Sequence, residues 1–169
     1  HKDKYRQFAQ KNKIPSPFTQ SYKDIEKAEK SLKVLDENKF PLMVKPIDAS
    51  GGRGISKLYY NNDYKQPLEN AFLVSQANRV IIEEYIEGSK HAFSAFLKNG
   101  KVRFYFSDNE HYYFNPYRVG AASTPSIVPQ SIEKKLSVNV EKIADLLSLT
   151  DGIFHVQYIL KKTMEPIII

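Results

Sequence analysis

Lys45 interrupts the otherwise apolar run "FPLMVKPI", and shortly after it the chain reads Ser50-Gly51-Gly52-Arg53-Gly54. A lysine pointing inward from an apolar strand must meet an anion or bear a considerable desolvation cost. Closely spaced glycines allow positive φ and close backbone approach, so several N–H groups can be laid against phosphate oxygens. These residue types together suggest binding of a phosphorylated ligand. The spacing is not that of a Walker loop, which needs Gly-Lys, then Ser or Thr, then a helix. Nor is it a dinucleotide fingerprint, in which GxGxxG opens a helix. The segment after Gly54, "ISKLYY", has the composition of a strand, so the loop reads as the tip of a β-hairpin that could fold over a ligand. A plain tight turn is the competing reading.

A second constellation is "RVIIEEYIEG", in which Glu83 and Glu84 interrupt an apolar strand and Tyr85, Ile86 and a Gly88 turn follow. A strand of this kind can offer backbone N–H and C=O groups to a purine edge, with apolar side chains against the ring and a carboxylate for an exocyclic amine. An ordinary edge strand is the alternative. His155 alternates with Gln157 in "GIFHVQYIL" and so shares its face, where it reads as a structural histidine. Arg118 lies in the polar segment "RVGAASTPSIVPQSI", as an anion-binding group or a solvated loop arginine.

The elements that must position these groups follow from periodicity. Tyr5, Phe8 and Ala9 fall on one helical face after Asp3 as a candidate N-cap, and Pro15 and Pro17 end that element. Ile25, Ala28 and Leu32 predict a second helix from Ser21 to about Asp36, with Ser21 and Asp24 resembling a capping box. A third helix is expected from Asn62 to about Ala77. "HAFSAFLKNGKVRFYFS" is two alternating segments joined by Asn99-Gly100, a hairpin signal because both turn residues tolerate positive φ. The stretch from Asp108 to Pro129 reads as an irregular connection. Ile132, Leu136, Val140, Ile143 and Leu147 align on one face of a helix from Ser131 to Ser148, and two closing strands follow.

The 169 residues are 41% hydrophobic and 26% charged, enough for one domain or two small lobes. Lys and Arg number 25 against 19 Asp and Glu, a mildly basic balance that suits polyanionic partners. With no cysteine, a disulfide framework, thiolate metal site or cysteine nucleophile is excluded, and a reducing, cytoplasmic setting is the easier fit. No apolar run approaches the roughly 20 residues of a membrane span. The missing initiator Met and the ending in "EPIII" suggest an excised piece of a longer chain.

Taken in order, "DK" near the start, "VKP" before a glycine hairpin, "IIEEYIEG", and "DGIFHVQYIL…EPIII" resemble the ATP-grasp superfamily, in its carbamoyl-phosphate-synthase and biotin-carboxylase-like branch. The resemblance implies an α+β fold of two lobes, residues 1–86 and 87–169, with the nucleotide held between them. The second lobe would be an antiparallel sheet with a helix, incomplete at its C-terminal end. It implies that Lys4 and Lys45 hold ATP phosphates, that Ser50, Gly51, Gly52, Arg53 and Gly54 form the mobile loop over the triphosphate, and that Glu83, Glu84, Tyr85 and Ile86 contact adenine.

Lys90 stands where many relatives carry a ribose-binding Glu, and His91 resembles the histidine of the carboxylase branch. Gln157 matches the first metal ligand, and the Glu-x-Asn motif of the second would fall after Ile169. Arg118 matches the acceptor-site segment. The implied activity is ATP- and Mg²⁺-dependent ligation, with Mn²⁺ as a substitute metal. A carboxylate is activated as an acyl phosphate and attacked by an amine-type nucleophile, with Lys45 and Arg118 assisting. These 169 residues alone are expected to turn over weakly or not at all. The alternatives are a non-catalytic nucleotide-binding regulatory module on the same fold, which the changes at Lys90 and Gln157 would suit, and a basic nucleic-acid-binding protein. Neither nucleic acid nor membrane is expected as a partner.

Overall fold

The computed structural model describes His1–Ile169, which divide into two compact units. The first comprises His1–Tyr85 with Asn115–Arg118, and the second comprises Ile86–Phe114 with Val119–Ile169.

In the first unit, β1 (Thr19–Tyr22), β2 (Leu42–Pro46), β3 (Ser56–Leu58) and β4 (Val80–Glu84) form an antiparallel sheet in the order β1-β4-β2-β3. Period-2 alternation sorts its side chains onto two faces. Leu42 and Val44 of β2 and Val80 and Ile82 of β4 are buried with Ala28 and Leu32 of α2 (Ile25–Lys33) and Leu68 and Ala71 of α3 (Lys65–Val74). Met43 and Lys45, with Ile81 and Glu83, occupy the opposite face, on which Arg6 of α1 (Lys2–Lys11) reaches Glu83.

Several local expectations are corrected. Asp3 is not an N-cap; it is buried inside α1, and the buried residues of that helix are Asp3, Arg6 and Ala9. Ser21 belongs to β1, and α2 begins behind Asp24, whose carboxylate accepts the Lys27 N–H at 2.8 Å. One good cap is enough to start the helix, while the edge of the sheet claims the residues before it. The third helix is shorter than expected, with Asn62 in the turn that precedes it.

In the second unit, β5 (Ser89–Lys98), β6 (Lys101–His111), β7 (Ala121–Ser123), β8 (Gly152–Leu160) and β9 (Pro166–Ile168) form an antiparallel sheet in the order β7-β6-β5-β8-β9. The Asn99-Gly100 turn joins β5 to β6 with both residues at positive φ, as their side chains permit. Helix α4 (Gln130–Leu146) covers one face through Ile132, Leu136, Val140 and Ile143, whereas Leu147 lies past its end and is exposed. The stretch from Asp108 is not wholly irregular: β6 runs on to His111, and Asn109, Glu110 and His111 pair with β7. Its polar alternation suits a sheet with one open face.

Candidate functional site

The first unit gathers its charges on the α1 side of its sheet. Lys45 and Glu83 lie on adjacent strands, in register with Ile81 and Met43 respectively, and so share that face diagonally. The Lys45 ammonium pairs with one oxygen of the Glu83 carboxylate, and Arg6 Nε donates to the other at 3.0 Å. The Thr19 hydroxyl, which donates to the Pro17 carbonyl at 3.0 Å, lies 3.4 Å from the same oxygen as Arg6. The Arg6 and Glu83 side chains are only 4% and 1% exposed, against 14% for Lys45, which leaves Lys45 as the open end of the triad. Burial alone would push the Glu83 carboxyl up, but the charges of Lys45 and Arg6 outweigh it and hold it below the usual range.

Lys2 adds a third cation. Its ammonium donates to the carbonyls of Ala49 at 2.6 Å and Pro46 at 3.2 Å, where β2 turns into the glycine loop. Burial and the neighbouring Lys45 charge lower its pKa, opposed by Asp48 and Glu83. Asp48 is fixed by the Ser75 hydroxyl at 2.8 Å and the Ala77 N–H at 2.7 Å. Asp3 is matched by Arg79 at 2.7 Å. Lys2, Arg6 and Lys45 thus face only two carboxylates, Asp48 and Glu83, so this edge retains unmatched positive charge. Lys4 points to solvent, so the α1 lysine that reaches the loop is Lys2. The helical period explains the exchange: position 2 is one turn from the buried Arg6, while position 4 is on the far side.

The glycine loop is the tip of the β2–β3 hairpin, as the pairing of Leu42 with Leu58 and Val44 with Ser56 requires. Gly52 adopts φ +74°, and a Cβ there would come within 3.0 Å of Tyr117 backbone and side-chain atoms. Sequence reasoning passed over Tyr117. It belongs to the four-residue segment Asn115–Arg118 that folds with the first unit, fastened by the Asn115 carboxamide accepting the Tyr117 N–H at 2.8 Å. Arg118, exposed, follows directly in this segment. Ser50 and Arg53 are also exposed, with the Arg53 guanidinium 3.5 Å from the Ser50 carbonyl.

On the strand "VIIEE", Glu83 is committed to its two cations. The Glu84 N–H donates to Phe18 O at 2.9 Å and the Tyr85 N–H to Pro41 O at 3.3 Å. The Tyr85 ring carries the Lys57 ammonium 3.6 Å from its centre. Ile86, in the second unit, is buried with Ile159 and Ile167.

In the second unit the open face of the sheet presents Gln157, His155 and Ser94, with His155 Nδ1 2.9 Å from the Ser94 hydroxyl. His155 is exposed. His91 is corrected more sharply. It pairs in register with Tyr158, not Gln157, and therefore occupies the opposite, α4-covered face. There it is 2% exposed, stacked on Tyr158, with Nε2 2.8 Å from Ser89 Oγ and Nδ1 3.3 Å from the Asp108 carbonyl. Burial lowers its pKa against the opposing pull of Asp108, Asn109 and Glu110.

Gln157 donates its amide to Glu110 at 2.5 Å, and Glu110 accepts the Tyr112 hydroxyl at 2.5 Å on its other oxygen. The Lys90 ammonium sits 3.9 Å from the centre of the Tyr112 ring. Glu110 was missed because it fell in a stretch read as irregular; alternation continued past Ser107 would have put it on the face of Gln157. No group of three or more His, Asp or Glu side chains gathers to hold a metal ion, and no helix is long and apolar enough to cross a membrane.

A β-hairpin of glycines beside a half-buried lysine, on an antiparallel sheet followed by a second antiparallel sheet with one helix, defines an ATP-grasp class of fold. Residues 3–114 match the family described as carbamoyl-phosphate synthase L chain, ATP binding domain, and the chain belongs to that family. It is 29% identical over 133 residues to the C-terminal section of the carbamoyl phosphate synthase large chain of Aquifex aeolicus, covering 77% of this chain and 25% of that one. It is 32% identical over 127 residues to the multifunctional protein pyr-3 of Neurospora crassa, covering 72% and 7%. Among solved structures, D-alanyl-alanine synthetase A of Vibrio cholerae superposes with a TM-score of 0.81 at 13% identity, over 99% of this chain and 52% of that one. The biotin carboxylase–βγ-ATP complex of Campylobacter jejuni superposes at 0.80 and 17%, over 99% and 39%. The chain therefore spans at most about half of these relatives.

Proposed function

We propose that this chain is the nucleotide-binding part of an ATP-dependent carboxylate ligase of the carbamoyl-phosphate-synthase-like kind, its two units being the N-terminal and C-terminal lobes of the ATP-grasp fold. The observation that carries the reading is the cluster of Lys2, Arg6 and Lys45 at the root of the glycine hairpin, with only Glu83 and Asp48 to balance it. Charge in excess beside a loop with backbone amides and left-handed glycines is what a triphosphate requires.

In the reaction a carboxylate oxygen attacks the γ-phosphorus of ATP and the bond to the β-phosphate oxygen breaks, releasing ADP. An amine-type nucleophile then attacks the acyl carbon and expels phosphate. Lys45, with Lys2 and Arg118 as further cations, would neutralise charge on the transferring group, and Ser50–Gly54 would close over it to keep water from hydrolysing the intermediate. Glu84, Tyr85 and Ile86 would lie at the adenine. Glu83 would act by holding Lys45 in place. Bound Mg²⁺ or Mn²⁺ would supply electrostatic stabilisation of the phosphate oxygens, and an oxygen donor such as the Gln157 amide suits such hard cations.

Calorimetric titration of the 169-residue chain with ATP and Mg²⁺ tests the reading. Saturable binding that is lost in Lys45→Met is expected. No heat of binding up to millimolar ATP, or equal affinity for an oligonucleotide, would overturn it.

A further inference from the structure

We propose that Lys57 sets how tightly this chain holds a nucleobase: its ammonium occupies the face of the Tyr85 ring on which the base would stack, and the base must displace it to bind. The inference rests on the placing of Tyr85 at the adenine in the proposed function.

Register puts Lys57 on the Lys45 side of the first sheet. Lys57 of β3 pairs with Met43 of β2, and Met43 is two residues from Lys45, so all three share the face that carries Glu83. Leu42 lies three residues from Lys45, about 10 Å along the strand, and its partner Glu84 immediately precedes Tyr85. A nucleotide with its phosphates at Lys45 and its base at Tyr85 therefore passes Lys57.

The ammonium of Lys57 is held by rings alone. It stands 3.6 Å from the centre of the Tyr85 ring and 5.2 Å from that of Tyr59, and no carboxylate pairs with it. Lys2, Arg6 and Lys45, by contrast, each meet a carbonyl or a carboxylate. Tyr117 closes a third side, where burial raises its pKa and the Lys57 charge opposes the rise. An ammonium 3.6 Å above the ring centre fills the layer a stacked base would enter, so one face cannot hold both. Stacking of a base on an aromatic side chain is worth more than one cation–π contact at a half-exposed site. The base therefore wins the ring, but its apparent affinity is lowered by the fraction of chains in which the lysine has left it.

Calorimetric and nuclear magnetic resonance titrations of this chain with adenosine test the displacement, because adenosine carries the base without the phosphates that attract any lysine. Lys57→Met keeps a side chain of similar length and removes the charge. It should bind adenosine about three- to ten-fold more tightly than the parent. Lys57→Arg, which keeps a cation able to lie on the ring, should bind no more tightly than the parent. In the parent, one set of lysine ε-methylene protons, missing from Lys57→Met, should resonate upfield over the Tyr85 ring and move downfield as adenosine saturates. Thermal melts check that each variant is folded; where Lys57→Met is not, Lys57→Gln replaces it with the same expectation. Adenosine affinity that is not raised in the folded variant overturns the inference, and so does an upfield lysine signal that is missing or that saturating adenosine leaves in place. ATP affinity that falls in Lys57→Met while adenosine affinity stays the same would make Lys57 a phosphate-binding lysine and overturn it too. A parent that binds ATP yet gives any of these results loses only this inference. A chain that binds neither adenosine nor ATP, with or without Lys57, loses the nucleotide reading and this inference with it.

Discussion

Arg6 on the first helix donates a hydrogen bond to Glu83 on the fourth strand at 3.0 Å, across 77 residues of sequence, with both side chains almost wholly buried. This contact gives α1 a charged inner face, since the residues it buries besides Ala9 are Asp3 and Arg6. Through Glu83 it also reaches Lys45, so the position of the lysine beside the glycine hairpin depends on a helix far from it in sequence.

Removal of the shared carboxylate should therefore be costly. Glu83→Gln leaves Arg6 and Lys45 buried without a counter-charge, and a loss of about 3–5 kcal/mol in unfolding free energy is expected. Urea unfolding measures it, and a variant within 1 kcal/mol of the parent would show that the triad contributes no net stability. The pH dependence follows from the direction of the shift. Glu83 is held lower in the folded chain than the ordinary glutamate value of about 4.3, so its contribution is complete above that value. It is lost as pH falls through the lower folded value, and the acid limb of the stability curve should flatten in Glu83→Gln.

Lys45→Met separates binding from folding. Arg6 still satisfies Glu83, so the destabilisation should stay at about 1.5–3 kcal/mol, as for one lost charged hydrogen bond. ATP affinity should fall at least ten-fold, which is about 1.4 kcal/mol. Unaltered ATP affinity in a folded Lys45→Met chain would remove the lysine from the phosphate site.

Gly52→Ala probes the flap. Its φ of +74° costs an L-residue about 1–2 kcal/mol, and the added methyl would press on Tyr117 at 3.0 Å. Weaker ATP binding with a small loss of melting temperature is expected. If Gly52→Ala matches the parent in both, the loop geometry has no part in binding.

His91 should carry less positive charge than a free imidazole at pH 6.5, because burial lowers its pKa. The unfolded chain then holds more protons between the two pKa values, so stability should decline as pH falls below about 6.5. Nuclear magnetic resonance titration of the ring reads this directly. A midpoint at or above 6.5 would show that the enclosure by Tyr158 and Ser89 is not maintained in solution.

The sequence by itself determined the elements whose signal is local. The Asn99-Gly100 hairpin, the apolar stripe of α4 and the strand on each side of the glycine loop follow from periodicity and turn chemistry within a few residues. The order of motifs was enough to place the chain among ATP-grasp proteins. Only the tertiary structure decided which charges meet. The partners of Glu83 come from a helix 77 residues earlier and from a neighbouring strand. Register put His91 under α4 and Glu110 beside Gln157, although His91 is one position from Lys90. Electrostatic pairing acts through space at a few ångströms, and a one-residue step along a strand reverses the face. Spacing along a chain carries neither quantity until the strands are aligned.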